Sequence, residues 1–174
     1  MELPTITDGE IILRPKRPED RDAVVAACQD PEIPRWTRVP SPYGPADYDE
    51  YLAVSAEEAR AGRGVNLLAF DADGRLLGSF SVMEIDRARG YGEIGYWVAA
   101  EARTRGVATR AVRLLAGWAR DALGLRELEI LPHPDNPPSR RVAEKAGFAD
   151  TGERRVVTRM NDETPYVVYR WSAR

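Results

Sequence analysis

One short stretch limits what this chain can become. A strand-like run, Glu93-Ile-Gly-Tyr-Trp-Val98, meets a helical run starting near Val107 through the turn Arg103-Thr-Arg-Gly-Val-Ala108. A strand that feeds a helix through a short turn with one glycine is a place to hold phosphate. The first N–H groups of the helix lack intrahelical partners and can donate to an anion. The aligned peptide dipoles add about half a positive charge at that end. Gly106 lets the backbone come close to a ligand, and the small Ala108 leaves room beside it. Arg103 and Arg105 carry forked donors suited to phosphate oxygens. The turn has neither the three glycines of a dinucleotide fingerprint nor the Gly-Lys-Ser/Thr of a P-loop. The plain alternative is a strand–helix turn with a capping glycine and two solvated arginines.

A second segment, Asp135-Asn-Pro-Pro-Ser139 followed by Arg140-Arg-Val-Ala-Glu-Lys-Ala-Gly-Phe148, reads as a short helix with strong ends. Asn136 suits the N-cap, Pro137 the first helical position and Gly147 the stop. Val142 and Ala146 share a face onto which Phe148 can fold back. In this order the two motifs resemble those of the Gcn5-related N-acetyltransferases. Arg103-x-x-Gly106-x-Ala108 is similar to their pyrophosphate loop. The segment from Asn136 through Ser139 to Glu144-Lys145-x-Gly147-Phe148 is similar to one in their RimJ/RimL branch. The resemblance runs from Ile11-Ile-Leu-Arg-Pro to the C-terminal strands.

The pass along the chain gives a strand at Ile11 to Arg14, a helix from Pro18 to about Gln29, and a loop from Asp30 to Pro45 stiffened by five prolines. A second helix spans Ala46 to Ala61. Strands follow at Val65 to Asp71 and Leu76 to Ile85, joined through the hairpin signal Asp73-Gly74, and at Tyr91 to Ala99. The helix from Val107 to Leu123 carries an apolar stripe of Val107, Ala111, Leu114, Leu115, Trp118 and Ala122. A strand at Glu127 to Leu131 and the capped helix Pro137 to Ala146 come next. Strands at Phe148 to Met160 and Thr164 to Trp171, joined near Asn161-Asp162, close the fold. This order is mixed α/β (α+β), with helices on both faces of a mainly antiparallel sheet. The resemblance implies the acyltransferase fold, a mixed sheet of about seven strands flanked by about four helices.

At 174 residues the chain is expected to form one domain, residues 1–174. No apolar run approaches membrane-spanning length and no signal-peptide pattern opens the chain, so a cytoplasmic place is expected. One cysteine, Cys28, leaves no internal disulfide and reads as a buried small residue. The net charge of −3 argues against general nucleic-acid binding. Only Lys16 and Lys145 among the 25 basic residues are lysine, an arginine bias that fits a GC-rich bacterial genome. His133, between two prolines, reads as a loop residue, and no cluster has metal-ligand spacing.

The resemblance implies transfer of acetyl from acetyl-CoA to a primary amine in a ternary complex, with no metal. It implies that the backbone of Trp97, Val98 and Ala99 pairs with the pantetheine arm. Arg103, Thr104, Arg105, Gly106, Val107, Ala108 and Thr109 would then hold the pyrophosphate. Asn136 would cap its helix and touch the pantetheine, and Ser139 would lie near the sulfur. Ser139 has a second reading as a residue bonded only to local backbone. Glu93, on a largely apolar strand, is the candidate base, because burial would raise its pKa. Glu84 and Glu129 are rivals, and Glu93 could instead be a surface carboxylate at the strand start. Trp36 and Tyr43, in the proline-stiffened loop, are candidates for the acceptor wall.

The acceptor is expected to be a peptide N-terminus or a small amine, with the protein a monomer or homodimer. A non-catalytic acyl-CoA sensor of the same fold would keep Arg103–Ala108 and Asn136 without needing Glu93 or Ser139. A phosphate-binding domain of another family would respond to ATP or NAD rather than to coenzyme A.

Overall fold

The chain, seen as a computed structural model, is described for residues 2–157 and 163–172. The strands are β1 (Ile6–Thr7), β2 (Ile11–Pro15), β3 (Val65–Asp71), β4 (Leu76–Asp86), β5 (Tyr91–Val98), β6 (Glu127–Ile130), β7 (Ala149–Val156) and β8 (Pro165–Ser172). The helices are α1 (Arg21–Ala27), α2 (Glu32–Trp36), α3 (Pro45–Ala61), α4 (Val107–Leu123) and α5 (Pro137–Lys145). One sheet of eight strands runs β1-β2-β3-β4-β5-β6-β8-β7. Every neighbouring pair is antiparallel except β5 and β6. The expected mixed, mainly antiparallel sheet is therefore present, with one strand more than expected because β1 adds two residues to the β2 edge.

Two local readings change. The proline-rich loop contains a five-residue helix, α2, with Pro34 inside it. Pro34 sits in the first turn, where its missing N–H would have no intrahelical partner anyway. Buried Ile33 anchors that turn. On α4 the buried face is Val107, Ala111, Val112, Leu115, Ala116, Ala119 and Leu123. Leu114 and Trp118 are half-buried at its margin and Ala122 is exposed, so the stripe is rotated from the expected one. The turn expected near Asn161-Asp162, with the predicted strand end at Met160, lies outside the described residues.

The helix ends follow their capping residues. Gly147 takes the left-handed conformation at φ 94°, and the N–H groups of Gly147 and Phe148 return to the carbonyls of Glu144 and Ala143. That is the paired ending expected of a helix stopped by glycine. Phe148 is buried, which docks α5.

Helix α4 packs against β4 and β5, and α3 packs against β3. Strand alternation divides the residues between the two faces. Leu67, Phe80, Val82, Ile94 and Leu128 are buried in the core. The opposite face holds Asn66, Ser79, Ser81, Glu93 and Glu129, polar yet buried. Lys16 is buried there too, its Nζ donating to Ser55 Oγ at 3.0 Å and lying 3.8 Å above the Tyr51 ring centre. Tyr51 Oη and Ser81 Oγ both donate to Asn66 Oδ1, at 3.1 and 2.6 Å. Burying so many polar groups is tolerable only because they pair with one another.

Candidate active site

Strands β5 and β6 pair through only three positions, Tyr91, Gly92 and Glu93 with Glu127, Leu128 and Glu129. Beyond Glu93 they part, and β6 ends at Ile130. A cleft of about 1000 Å³ opens at this parting, between β5, one face of α3, and the starts of α4 and α5.

The edge of β5 that faces the gap follows from its bonds. The Ala99 N–H donates to Leu77 O on the β4 side. Successive peptide groups of a strand point to opposite edges. Val98 and Tyr96 therefore present their backbone groups to the gap, while those of Trp97 and Ala99 face β4. Of the three residues expected to offer backbone to the pantetheine, Val98 is on the open edge, and Tyr96 joins it in place of Trp97 and Ala99.

The turn before α4 is strained and open. Thr104 and Gly106 are both left-handed, at φ 62° and 76°. That conformation is costly for a β-branched residue such as Thr104, and such strain concentrates at functional sites. No side chain caps α4. The N–H groups of Val107, Ala108 and Thr109 therefore have no helix partner, and all three residues line the cleft. The arginines behave differently from expectation. Arg103 folds back, donating to Val98 O through Nε and Nη2 at 3.2 and 3.1 Å. Its Nη2 also pairs with Asp30 at 2.5 Å. Arg105 is exposed and does not line the cleft. Within the turn, the groups left open to an anion are backbone N–H donors rather than the guanidinium of Arg103. On α5, Arg141 and Lys145 line the cleft, whereas Arg140 bonds Tyr169 and the Arg154-Arg155 pair is engaged by Asp150, Glu129 and Glu153.

The start of α5 is closed, in contrast to that of α4. Asn136 Oδ1 accepts from Ser139 N at 3.2 Å, so the cap reading holds, and both residues line the cleft. Ser139 Oγ lies 3.0 Å from Tyr96 Oη. The Tyr96 ring stacks on Phe80 with centres 5.5 Å apart. Burial pushes the Tyr96 hydroxyl up to about 12. Sequence reasoning missed this pair, since the two residues are 43 positions apart.

The three carboxylates separate. Glu93 is only 5% exposed and lines the cleft, so it is not a surface residue at a strand start. It also borders a smaller cavity of about 290 Å³ that Glu84 and Tyr91 line. Glu84, at φ 51° in a β4 irregularity, lines that smaller cavity only. Glu129 is buried and held by Arg155 at 2.7 Å, Arg170 at 2.6 Å and Tyr91 Oη at 2.9 Å. Burial drives its pKa upward, but those hydrogen bonds outweigh it and leave the carboxyl below its usual range. A carboxylate so held is structural.

On the far wall, Trp36 and Tyr43 both line the cleft, Tyr43 as a buried residue. His133 joins them from the loop after β6, its ring 5.4 Å from Trp36 and 5.2 Å from Tyr166. The single histidine is thus part of an aromatic wall, which its position between two prolines did not reveal. Tyr51, Ser79 and Ser81 form the floor. Cys28 is buried, and burial pushes its thiol up to about 12, which fits a packing role. Among the described residues, no group of three His, Cys, Asp or Glu could hold a metal ion, and no helix is long and apolar enough to cross a membrane.

Comparison with known proteins gives a consistent picture. Putative ribosomal N-acetyltransferase YdaF of Bacillus subtilis is 37% identical over 83 residues, 48% of this chain and 45% of YdaF. The chain spans about half the length of the Bacillus subtilis relatives it matches. Among solved structures, Mycobacterium smegmatis RimJ in complex with CoA-disulfide superposes with a TM-score of 0.84 at 22% identity, covering 98% of this chain and 88% of that one. The RimL ribosomal α-N-protein acetyltransferase in complex with coenzyme A gives 0.85 at 18% identity, covering 97% and 98%. Both share this fold, as the RimJ/RimL resemblance implies. Residues 10–149 match the acetyltransferase (GNAT) domain family, most of the chain, and to that family the chain belongs.

Proposed function

We propose that this protein is an acetyl-CoA-dependent N-acetyltransferase, one domain in extent, which passes acetyl directly to a primary amine. The observation that carries the reading is the junction of two features in one cleft. An uncapped helix start adjoins a sheet whose middle strands pair through three positions and then part, opening the edge of β5 to the cleft. The first suits a pyrophosphate, and the second suits an extended amide-bearing arm that completes the ladder like a strand.

In this reading Val107, Ala108 and Thr109 hold the pyrophosphate through backbone N–H, and the backbone of Tyr96 and the N–H of Val98 pair with the arm, the Val98 carbonyl being held by Arg103. Arg103 serves the same turn by fixing its approach to Asp30 and Val98. Arg141 and Lys145 supply charge for the remaining phosphate. Residues on opposite faces of β5 then divide the chemistry between the two sides of the sheet. Glu93 faces the polar side with Ser81 and Tyr51, where the amine enters. Tyr96 faces the α5 side with Ser139, where the thiol departs. Glu93, largely buried and lining the cleft, takes the amine proton through water. Ser139 steadies the departing sulfur.

The acceptor is a peptide α-amine or a small amine. An α-amine with a pKa near 8 needs about 3 kcal/mol less to lose its proton than a lysine near 10.4. The same cleft carries an aromatic wall of Trp36, Tyr43 and His133 on the acceptor side. The deciding experiment measures thiol release from acetyl-CoA with a panel of amines and N-terminal peptides, beside calorimetric titration of coenzyme A. Turnover with at least one amine is expected. Tight binding with no turnover across the panel would make the protein a sensor, and no binding at all would remove the reading.

A further inference from the structure

We propose that Tyr96 is a positioning residue for thiol departure: its hydroxyl donates to Ser139 Oγ and so turns the Ser139 proton into the cleft, towards the sulfur. The inference rests on the reading of Ser139 above.

The geometry leaves each hydroxyl one partner. Tyr96 Oη and Ser139 Oγ lie 3.0 Å apart, and neither oxygen makes another hydrogen bond among the described residues. By position either atom can donate, and the chemistry chooses between them. A phenol is the more acidic hydroxyl and so a stronger donor than an alcohol. If Ser139 donated, the phenolic proton of a tyrosine packed on Phe80 would have no acceptor, a costly arrangement. With Tyr96 donating, the Ser139 proton is left over on the side of the cleft, which both residues line.

The rest of the site holds this arrangement still. The Ser139 backbone is fixed by the Asn136 cap at 3.2 Å, so only the hydroxyl rotor is free. A serine in a helix commonly turns its proton back to a carbonyl one turn earlier. The bond from Tyr96 occupies a lone pair of Oγ and opposes that rotation. The Tyr96 ring cannot swing away, because it stacks on Phe80 at an interplanar angle of 11°. Burial keeps the phenol protonated across any ordinary assay pH.

The step balances without any proton leaving either residue. The amine lone pair forms the new C–N bond, the C–S bond breaks, its electron pair goes to sulfur, and the proton shed by the acylated nitrogen passes to water. Ser139 O–H donates a hydrogen bond to that thiolate, which later takes a proton from water. A thiol with a pKa near 8.5 is far more acidic than a serine hydroxyl, so outright transfer from Ser139 is not needed.

The test compares Tyr96→Phe, Ser139→Ala and the double variant for kcat, KM, coenzyme A affinity and melting temperature. Tyr96→Phe keeps the ring and its stack. It is expected to lower kcat about five- to thirtyfold, with coenzyme A affinity and KM within about twofold. The double variant should be no slower than Ser139→Ala alone, because the two residues act as one unit. A Tyr96→Phe variant with unchanged kcat overturns the proposal, whatever its melting temperature. So does a Tyr96→Phe loss that persists in full on the Ser139→Ala background, although the Ser139 reading would then survive. A fully active Ser139→Ala would sink that reading and this inference together, leaving the acetyltransferase assignment to the amine panel.

Discussion

The open start of α4 can be tested with an internal control built into the same helix. Gly106 before α4 and Gly124 after it are both left-handed, at φ 76° and 70°, and a Cβ at either would meet nothing within 4 Å. Valine at either position therefore carries the same intrinsic cost, the left-handed penalty of about 1–2 kcal/mol, with no clash against the protein. For a chain of this size each kcal/mol lowers the melting temperature by roughly 2–4 °C, so both variants should melt about 2–8 °C early and still fold. Their affinities for coenzyme A should differ. At Gly106 the added side chain stands in front of the Val107–Thr109 N–H groups. At Gly124 it stands at the far end of a 17-residue helix. Gly106→Val is expected to lose at least tenfold in affinity, about 1.4 kcal/mol, and Gly124→Val should bind like wild type. Calorimetric titration of coenzyme A with both variants decides the matter. Equal losses at the two sites would mean that strain alone weakens binding. Unchanged binding by Gly106→Val would refute the use of this helix start for phosphate.

Glu93→Gln should lower kcat while coenzyme A affinity stays within about twofold, and the deficit should shrink as pH approaches the amine pKa, since the substrate then arrives neutral. A rate equal to wild type at every pH would return Glu93 to a structural role. Glu129→Gln should act on stability instead, costing about 1–3 kcal/mol, because Arg155 and Arg170 lose their buried partner but keep Glu153. The folded Glu129 carboxyl lies below its ordinary value of 4.5, so its stabilisation is complete above that pH and is lost as pH falls through the folded value. Denaturant titrations from pH 3 to 7 should accordingly show a flatter acid limb in Glu129→Gln, and an identical limb would remove the linkage.

What the sequence discloses here is mostly what local chemistry decides. The limits of α4 and the ends of α5 are legible because Gly106, Gly124, Asn136 and Gly147 each do at a helix end what few other residues can. The hairpin at Asp73-Gly74 is legible for the same reason. Helix α2 is hidden because a proline count does not register that Pro34 falls in a first turn. The site is legible in its motifs and obscure in its contacts. Glu84, Glu93 and Glu129 look alike until strand register gives Glu129 two arginines and leaves Glu93 at the cleft. Arg103 reads as a phosphate ligand because nothing nearby in the chain announces Asp30. Tyr96 reads as core because its partner arrives with a helix 43 positions later.

The three-residue seam between β5 and β6 has a consequence for the life of the protein as well as for its chemistry. Hydrogen-bond ladders carry cooperativity across a sheet, and this one is interrupted near its middle. A ligand laid along the open edge supplies the missing rungs, so saturation and folding become parts of one equilibrium. At a hundredfold excess over its dissociation constant, such a ligand adds about 2.7 kcal/mol to stability. That is a large share of what holds most domains together. Scarcity of the ligand would then expose the chain to proteases, and the amount of protein would track the supply of that ligand.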